Sequence, residues 1–157
     1  MVEQKFAPLA NQLTTTNAAE PSIIRGRLMR IDGLPIALVV YGAASLFHHV
    51  HNAAYLNDYP NMPAWLSSAG VYAAWLAVTA VGIFGFLLVH RGYRLAGLIV
   101  VAAYAGFGFD GLGHYGLAPF SAHSFMMNLS IWLEVATAAA LLVTVAGLMV
   151  KQIRRAT

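Results

Sequence analysis

The chain has no cysteine, and few of its residues are charged. Without a thiol it cannot form a disulfide, a thiolate metal site or a covalently attached c-type haem. Charged residues make up 10% of the 157 residues and hydrophobic residues 59%, whereas about a quarter of a soluble domain is charged. We therefore expect an integral membrane protein with no separate soluble domain.

The hydrophobic residues fall into blocks that are each about as long as a membrane-spanning helix of roughly 20 residues. The predicted spans are Leu34–Tyr55, Pro63–Val89, Leu95–Tyr115 and His123–Val150. This pattern predicts an all-α, up-down-up-down bundle of four transmembrane helices in a lipid bilayer.

Lysine and arginine are missing from the stretches that join span one to span two and span three to span four. All nine of them lie before the first span, between the second and third, or after the fourth. Because Lys/Arg-rich segments stay in the cytoplasm, we expect both termini to be cytoplasmic in a bacterial-type inner (plasma) membrane. The net charge of +3 follows from this bias and gives no reason to expect nucleic-acid binding.

The segments outside the spans are short. Residues 1–32 are expected to form a cytoplasmic arm, in which Pro21–Ile31 is either an interfacial amphipathic helix or part of a disordered basic stretch. Residues 33–150 form the expected transmembrane domain, and residues 151–157 a basic cytoplasmic tail.

Five of the six histidines lie near the span ends that carry no basic residue. Ionisable side chains within a membrane are costly, usually face the bundle interior and mark a functional site. Helical spacing groups polar residues on one face of each of the four spans. The first span groups Tyr41, Ser45, His48, His51 or Asn52, and Tyr55; the second groups Trp65, Ser68, Tyr72, Trp75 and Thr79; the third places Asp110 and His114 one turn apart; the fourth groups His123, Met127, Ser130 and Glu134.

These imidazoles, with one carboxylate, predict a transition-metal site for copper, iron or zinc. The expected ligands are His48, His51, Asp110, His114 and His123. We expect His49, Asn52 and Tyr55 to support the bound cofactor, and Glu134 and Asp110 to act as catalytic acids or proton carriers. Glu134 could instead be a structural acid that is hydrogen-bonded across the bundle. The leading hypothesis is a small metal-dependent oxidoreductase or a metal-binding accessory subunit.

Two other classes of function remain open. Two histidines on facing helices can hold a b-type haem, which would make the chain a haem- or quinone-binding anchor or electron-transfer subunit of a larger complex. Alternatively, Glu134 and Asp110 could serve a metal-free proton or solute pathway, or an enzyme that acts on a lipid-like substrate. Other membrane subunits or further copies of the chain are possible partners.

Glycine is frequent around Asp110, in the stretch Gly106–Gly116. Small residues allow close helix packing, but Asp110-Gly111 is a turn-prone pair. We expect the third span to loosen there. The aromatic residues Tyr55, Tyr59, Tyr115, Trp65, Trp75 and Trp132 are interpreted as interface anchors and core filling.

One local pattern resembles a known copper site. Asp110-Gly-Leu-Gly-His114 followed by His123 is similar to the Asp-x3-His…His ligands in the membrane C subunit of particulate methane and ammonia monooxygenases. The resemblance covers about fourteen residues; the second interval is shorter than in that family, and the chain has fewer spans. It implies copper bound by Asp110, His114 and His123.

Overall fold

Four helices in the computed structural model are long and apolar enough to cross a membrane, which confirms the predicted all-helical class. The structure describes residues 33–154, so the predicted N-terminal arm and the end of the basic tail lie outside the described residues. The α-helices are α1 (Gly33–Ala54), α2 (Ser68–His90), α3 (Arg94–Phe107), α4 (His114–Leu117) and α5 (Phe125–Ile153). Short 3-10 helices span Asp110–Gly113 and Phe120–Ala122.

Two serines determine where the second and fourth spans begin. Ser67 accepts a hydrogen bond from the Gly70 N–H at 3.1 Å, and Ser124 accepts one from the Met127 N–H at 3.3 Å. Such N-caps satisfy backbone amides that have no partner inside the helix. The second helix therefore starts five residues after the predicted Pro63, and His123 lies just before α5 instead of inside it.

The long helices form a ring in which α1 and α3 each pack against both α2 and α5. The segments 55–67 and 118–124 lie at one end of the bundle, which we call the histidine end. The opposite end, the basic end, contains the start of α1, the Arg91-Gly92-Tyr93 turn and the end of α5.

The third span is interrupted, as the glycine-rich sequence predicted. The regular helix α3 ends at Phe107, and the 3-10 turn Asp110–Gly113 leads into α4. Gly108 allows the chain to pass close to its neighbours, because a Cβ at this position would lie 2.5 Å from the Ala138 Cβ and 2.7 Å from the Tyr41 ring.

The second span contributes only part of the polar interior face that helical spacing predicted: Trp75 and Thr79 are half-buried, but other members of that face are exposed. Trp65 is 82% exposed and Tyr72 is 40% exposed, so both lie on the outside of the bundle. The buried residues of α2 are small or aliphatic: Val71, Gly82, Gly85 and Val89. Packing against α3 determines which face of α2 is buried, and the apolar face of α2 fits against α3 better than its polar face does.

Candidate functional site: a buried carboxyl beside two imidazoles

The seam between α1 and α5 brings a glutamate against two consecutive histidines. Glu134 is 2% exposed and His48 is 3% exposed. The distance from Glu134 Oε2 to His48 Nε2 is 3.7 Å, and that from Glu134 Oε1 to His49 Nδ1 is 3.8 Å. The sequence indicated Glu134 as a candidate acid, separate from the predicted metal ligands. In the structure it belongs to the histidine cluster.

Hydrogen bonds fix the tautomer of a neutral His48. The Ser130 hydroxyl donates to the Met127 carbonyl at 2.9 Å, so its oxygen accepts from His48 Nδ1, 3.2 Å away. A neutral imidazole has one N–H, and here that N–H is at Nδ1. His48 Nε2 therefore directs a lone pair towards Glu134. A lone pair and an ionised carboxylate repel each other, so the pair is stable when one proton lies between them.

His49 is held differently. Its Nδ1 donates to the Ser45 carbonyl at 2.9 Å, within its own helix, and its ring lies 5.5 Å from the His48 ring, centroid to centroid. The 3-10 turn passes over the same place, because a Cβ on Gly111 would lie 3.5 Å from Glu134 Oε2 and 3.9 Å from His48 Nε2. The carboxyl is thus enclosed by α1, α5 and the loosened part of the third span.

A chain of aromatic rings continues from His48 towards the histidine end. The His114 ring is 5.5 Å from the His48 ring and 4.8 Å from the Tyr59 ring. The His123 ring lies 6.1 Å beyond His114. His123 Nδ1 donates to the Pro119 carbonyl at 3.1 Å, while its Nε2 is buried without a hydrogen-bond partner among the described residues. Of the predicted ligands, His48, His114 and His123 therefore lie close together.

Tyr59, which the sequence analysis interpreted as an interface anchor or core filling, belongs to this cluster. It comes from the connection between α1 and α2, yet it is 3% exposed, and its hydroxyl is hydrogen-bonded to His51 Nδ1 at 2.9 Å. Burial raises the pKa of the Tyr59 phenol above its ordinary value, because the phenolate would lose its hydration. No helical period marks a loop residue, so only the folded connection brings Tyr59 inward.

Asn61 helps to hold that connection in place. Its side-chain amide donates to the Leu117 carbonyl at 2.8 Å, and its backbone has a φ of 58°. Asparagine adopts this left-handed conformation more readily than most other residues. The two connections of the histidine end are therefore joined to each other.

The other predicted site residues differ in how deeply they are buried. Asp110 is exposed in the isolated chain. Tyr55 is 51% exposed, with its ring 4.8 Å from that of His51. Asn52 is buried and its amide lies 3.3 Å from His114 Nε2, while Asn52 Oδ1 has no hydrogen-bond partner in residues 33–154. Within those residues, no group of three or more His, Asp or Glu side chains is arranged to hold a metal ion.

The arrangement can hold a proton between a carboxyl and an imidazole, away from water. It does not require a cofactor to do so. Comparisons of the chain with models of protein families, with curated proteins and with solved structures find no match.

Proposed function

We propose that this membrane protein is built around a proton-exchanging acid–base site in which Glu134 and His48 share one proton. The observation that carries the proposal is the 3.7 Å distance between Glu134 Oε2 and His48 Nε2. The other ring nitrogen of His48, Nδ1, is hydrogen-bonded to Ser130. If the two atoms moved closer by somewhat less than 1 Å, they would be at hydrogen-bond distance. Alternatively, one water could hydrogen-bond to both atoms. A shared proton keeps the pair neutral, which avoids the high cost of a charge inside a membrane.

The imidazoles and Tyr59 form the proposed route between this pair and the histidine end. His114 is in ring contact with both His48 and Tyr59, and Tyr59 is bonded to the half-buried His51. Histidine and tyrosine both donate and accept protons. The site would therefore act as an acid or base towards a small, membrane-soluble reactant and recover its proton from that end.

Infrared difference spectroscopy of the protein in lipid nanodiscs tests this proposal. The wild type should show the C=O band of a protonated, buried carboxyl that shifts in D2O, and Glu134→Gln should lack that band. Asp58→Asn, which removes an exposed loop carboxyl, should retain it. A site without any protonated carboxyl, or with one whose proton never exchanges, would contradict the proposed role.

The membrane orientation is a separate proposal. The Lys/Arg bias supports cytoplasmic termini in a bacterial-type plasma membrane, with the histidine end facing outward. Because the chain has no cysteine, single cysteines can report the topology. A membrane-impermeant thiol reagent added to intact cells should label Asn57→Cys and leave Gln152→Cys unlabelled; the reverse pattern would overturn the orientation.

Transition-metal binding is the second candidate, and the orientation of the imidazoles favours it. In their neutral tautomers, His48 and His123 both hold Nδ1–H in a protein hydrogen bond and leave Nε2 unprotonated. Metal-ligating histidines are commonly oriented in this way by a partner on the other nitrogen. His114 Nε2 would complete three nitrogen ligands after the rings move closer together. Such a site would suit the oxidoreductase or accessory-subunit role.

Metal analysis by mass spectrometry, with an absorption spectrum of the same detergent-purified sample, tests the second candidate. A near-stoichiometric metal should be lost in His114→Ala/His123→Ala and kept in His90→Ala, which changes an exposed histidine at the basic end. A Soret band would reveal haem instead. Substoichiometric metal that is equal in both variants would exclude this site.

A further inference from the structure

The Ser130 hydroxyl lies where three polar groups of the bundle meet. It accepts a hydrogen bond from His48 Nδ1 at 3.2 Å and donates one to the Met127 carbonyl at 2.9 Å. It also reaches the loop residue Tyr59: burial raises the pKa of the Tyr59 phenol, and a hydrogen bond with the Ser130 hydroxyl partly offsets this rise. Ser130 is fully buried, which keeps bulk water away from these contacts. One hydroxyl therefore connects the acid–base pair with Tyr59.

This hydroxyl has one proton and two acceptors within reach. A serine hydroxyl donates a single hydrogen bond and can accept two, so its proton points either to the Met127 carbonyl or to the Tyr59 oxygen. The Met127 carbonyl does not depend on this bond, because within α5 it also accepts from the Ile131 N–H, four residues further on. Rotation of the Ser130 hydroxyl towards Tyr59 therefore moves only a hydrogen and leaves the carbonyl with a partner.

With the hydroxyl turned towards Tyr59, hydrogen bonds join His48 to His51 without interruption. His48 Nδ1–H donates to Ser130, which donates to Tyr59. The Tyr59 hydroxyl in turn donates to His51 Nδ1, 2.9 Å away. Each of these groups both gives and accepts protons, and all three bonds point the same way. His114, by comparison, meets His48 and Tyr59 through ring contacts, so the hydrogen-bonded chain is the more direct path for a proton.

His51 is suited to take up the proton at the end of this chain. It lies in the last turn of α1 and is half-buried. The negative end of the helix dipole stabilises a positively charged imidazole in that turn, and partial exposure lets the proton pass to water at the histidine end. We infer that Ser130 and Tyr59 relay protons from the acid–base pair to His51, and that the orientation of the Ser130 hydroxyl opens or closes this path.

Every proton is accounted for in the transfer. His51 Nδ1 gains the proton of Tyr59, and each hydroxyl replaces the proton that it gives with one from the group before it. His48 loses the proton on Nδ1 and takes the Glu134 proton on Nε2. The carboxyl becomes a carboxylate that faces an N–H, and His51 becomes an imidazolium that releases its proton to water; the reverse sequence returns a proton to Glu134. The relay rests on the proposed function, since it carries the proton that Glu134 and His48 share.

The rate at which the Glu134 carboxyl exchanges its proton for deuterium tests the relay. Infrared spectroscopy of the protein in nanodiscs follows the C=O band after transfer to D2O. Tyr59→Phe keeps the ring and removes the hydroxyl, so the band should keep its position while exchange slows on the order of a hundredfold, the lower end of what a positioned proton donor contributes. Ser130→Ala should slow exchange by a similar factor. The double variant should exchange no more slowly than either single variant, because both substitutions interrupt the same path.

Tyr115→Phe is the matched control, since it removes a phenol hydroxyl at the same end of the bundle that donates to Asn128 at 2.8 Å; it should exchange like the wild type. Exchange at the wild-type rate in Tyr59→Phe or Ser130→Ala would overturn the relay and leave the shared proton intact. So would a double variant in which the two single effects multiply, since the residues would then act on separate paths. A wild type without the band of a protonated carboxyl would overturn the proposed function together with the relay, which distinguishes the two failures.

Discussion

The α1–α5 seam and the α2–α3 contact are held together in opposite ways. The seam buries polar side chains, among them His48, Ser130 and Glu134, and fixes them through hydrogen bonds. The α2–α3 contact has almost no polar groups and depends on glycine: a Cβ on Gly97 would lie 2.6 Å from the Val89 backbone nitrogen. Hydrogen bonds between polar side chains specify the α1–α5 seam, whereas close packing at glycine specifies the α2–α3 contact. Substitutions in the two interfaces should therefore have different effects.

The largest effect on stability is expected at the glycine contact. Gly97→Ala should lower the free energy of unfolding by about 3 kcal/mol, the upper end of the usual range for overpacking, because the new methyl group meets backbone atoms that cannot move aside. Thermal unfolding in detergent measures this change. Gly147→Ala, whose methyl group has open space within residues 33–154, should leave the stability nearly unchanged. If both variants were equally stable, the α2–α3 interface would not be closely packed.

A smaller effect is expected in the polar seam. Ser130→Ala removes the acceptor of His48 Nδ1 and should cost about 2 kcal/mol, because a buried N–H is left without a partner. It should also shift the infrared band of Glu134, which the glycine variants should not do. Thr144→Ala is the control. Within residues 33–154 the Thr144 hydroxyl donates a hydrogen bond only to the Ala140 carbonyl of its own helix. Identical spectra for Ser130→Ala and the wild type would argue against His48 as the partner of the carboxyl.

The smallest effect is expected at the loop residue Tyr59. Burial raises its pKa above the ordinary value of 10.0, so the folded protein keeps this proton to higher pH than the unfolded chain does. Its contribution to stability is therefore complete below about pH 10 and is lost as the pH rises through the higher folded value. Tyr59→Phe, which lacks the ionisable hydroxyl, should show a weaker decline in alkaline stability than the wild type. Thermal unfolding of both proteins across alkaline pH measures the difference, and an identical decline in both would contradict the prediction.

The sequence predicted much of the fold because apolar length and helical period are local properties. The four spans followed from apolar length, and the buried face of Met127, Ser130 and Glu134 from helical spacing. The interruption near Asp110 followed from the glycine-rich sequence around a turn-prone pair. The polar face assigned to the second span was only partly right, because Trp65 and Tyr72 are exposed while Trp75 and Thr79 are half-buried. The close fit of Gly82 and Gly85 against α3 decides the rotation of this helix.

The composition of the site was harder to predict than its location. His48, His114 and His123 do come together, but Asp110 is exposed and Glu134 is the carboxyl that lies beside His48. Helical spacing gives the face on which Glu134 lies but not the reach of side chains across a helix pair. Tyr59 enters from a loop, where no periodic signal exists.

The most direct test of the shared proton is 15N NMR of the histidine-labelled protein in lipid bilayers. Signals can be assigned by single-histidine variants, with the exposed His90 as an internal reference. The account predicts that His48 is protonated at Nδ1 and that its Nε2 resonance is intermediate between the protonated and unprotonated positions, moving to the unprotonated position in Glu134→Gln. A His48 protonated only at Nε2, or an Nε2 resonance that does not respond to Glu134→Gln, would contradict it.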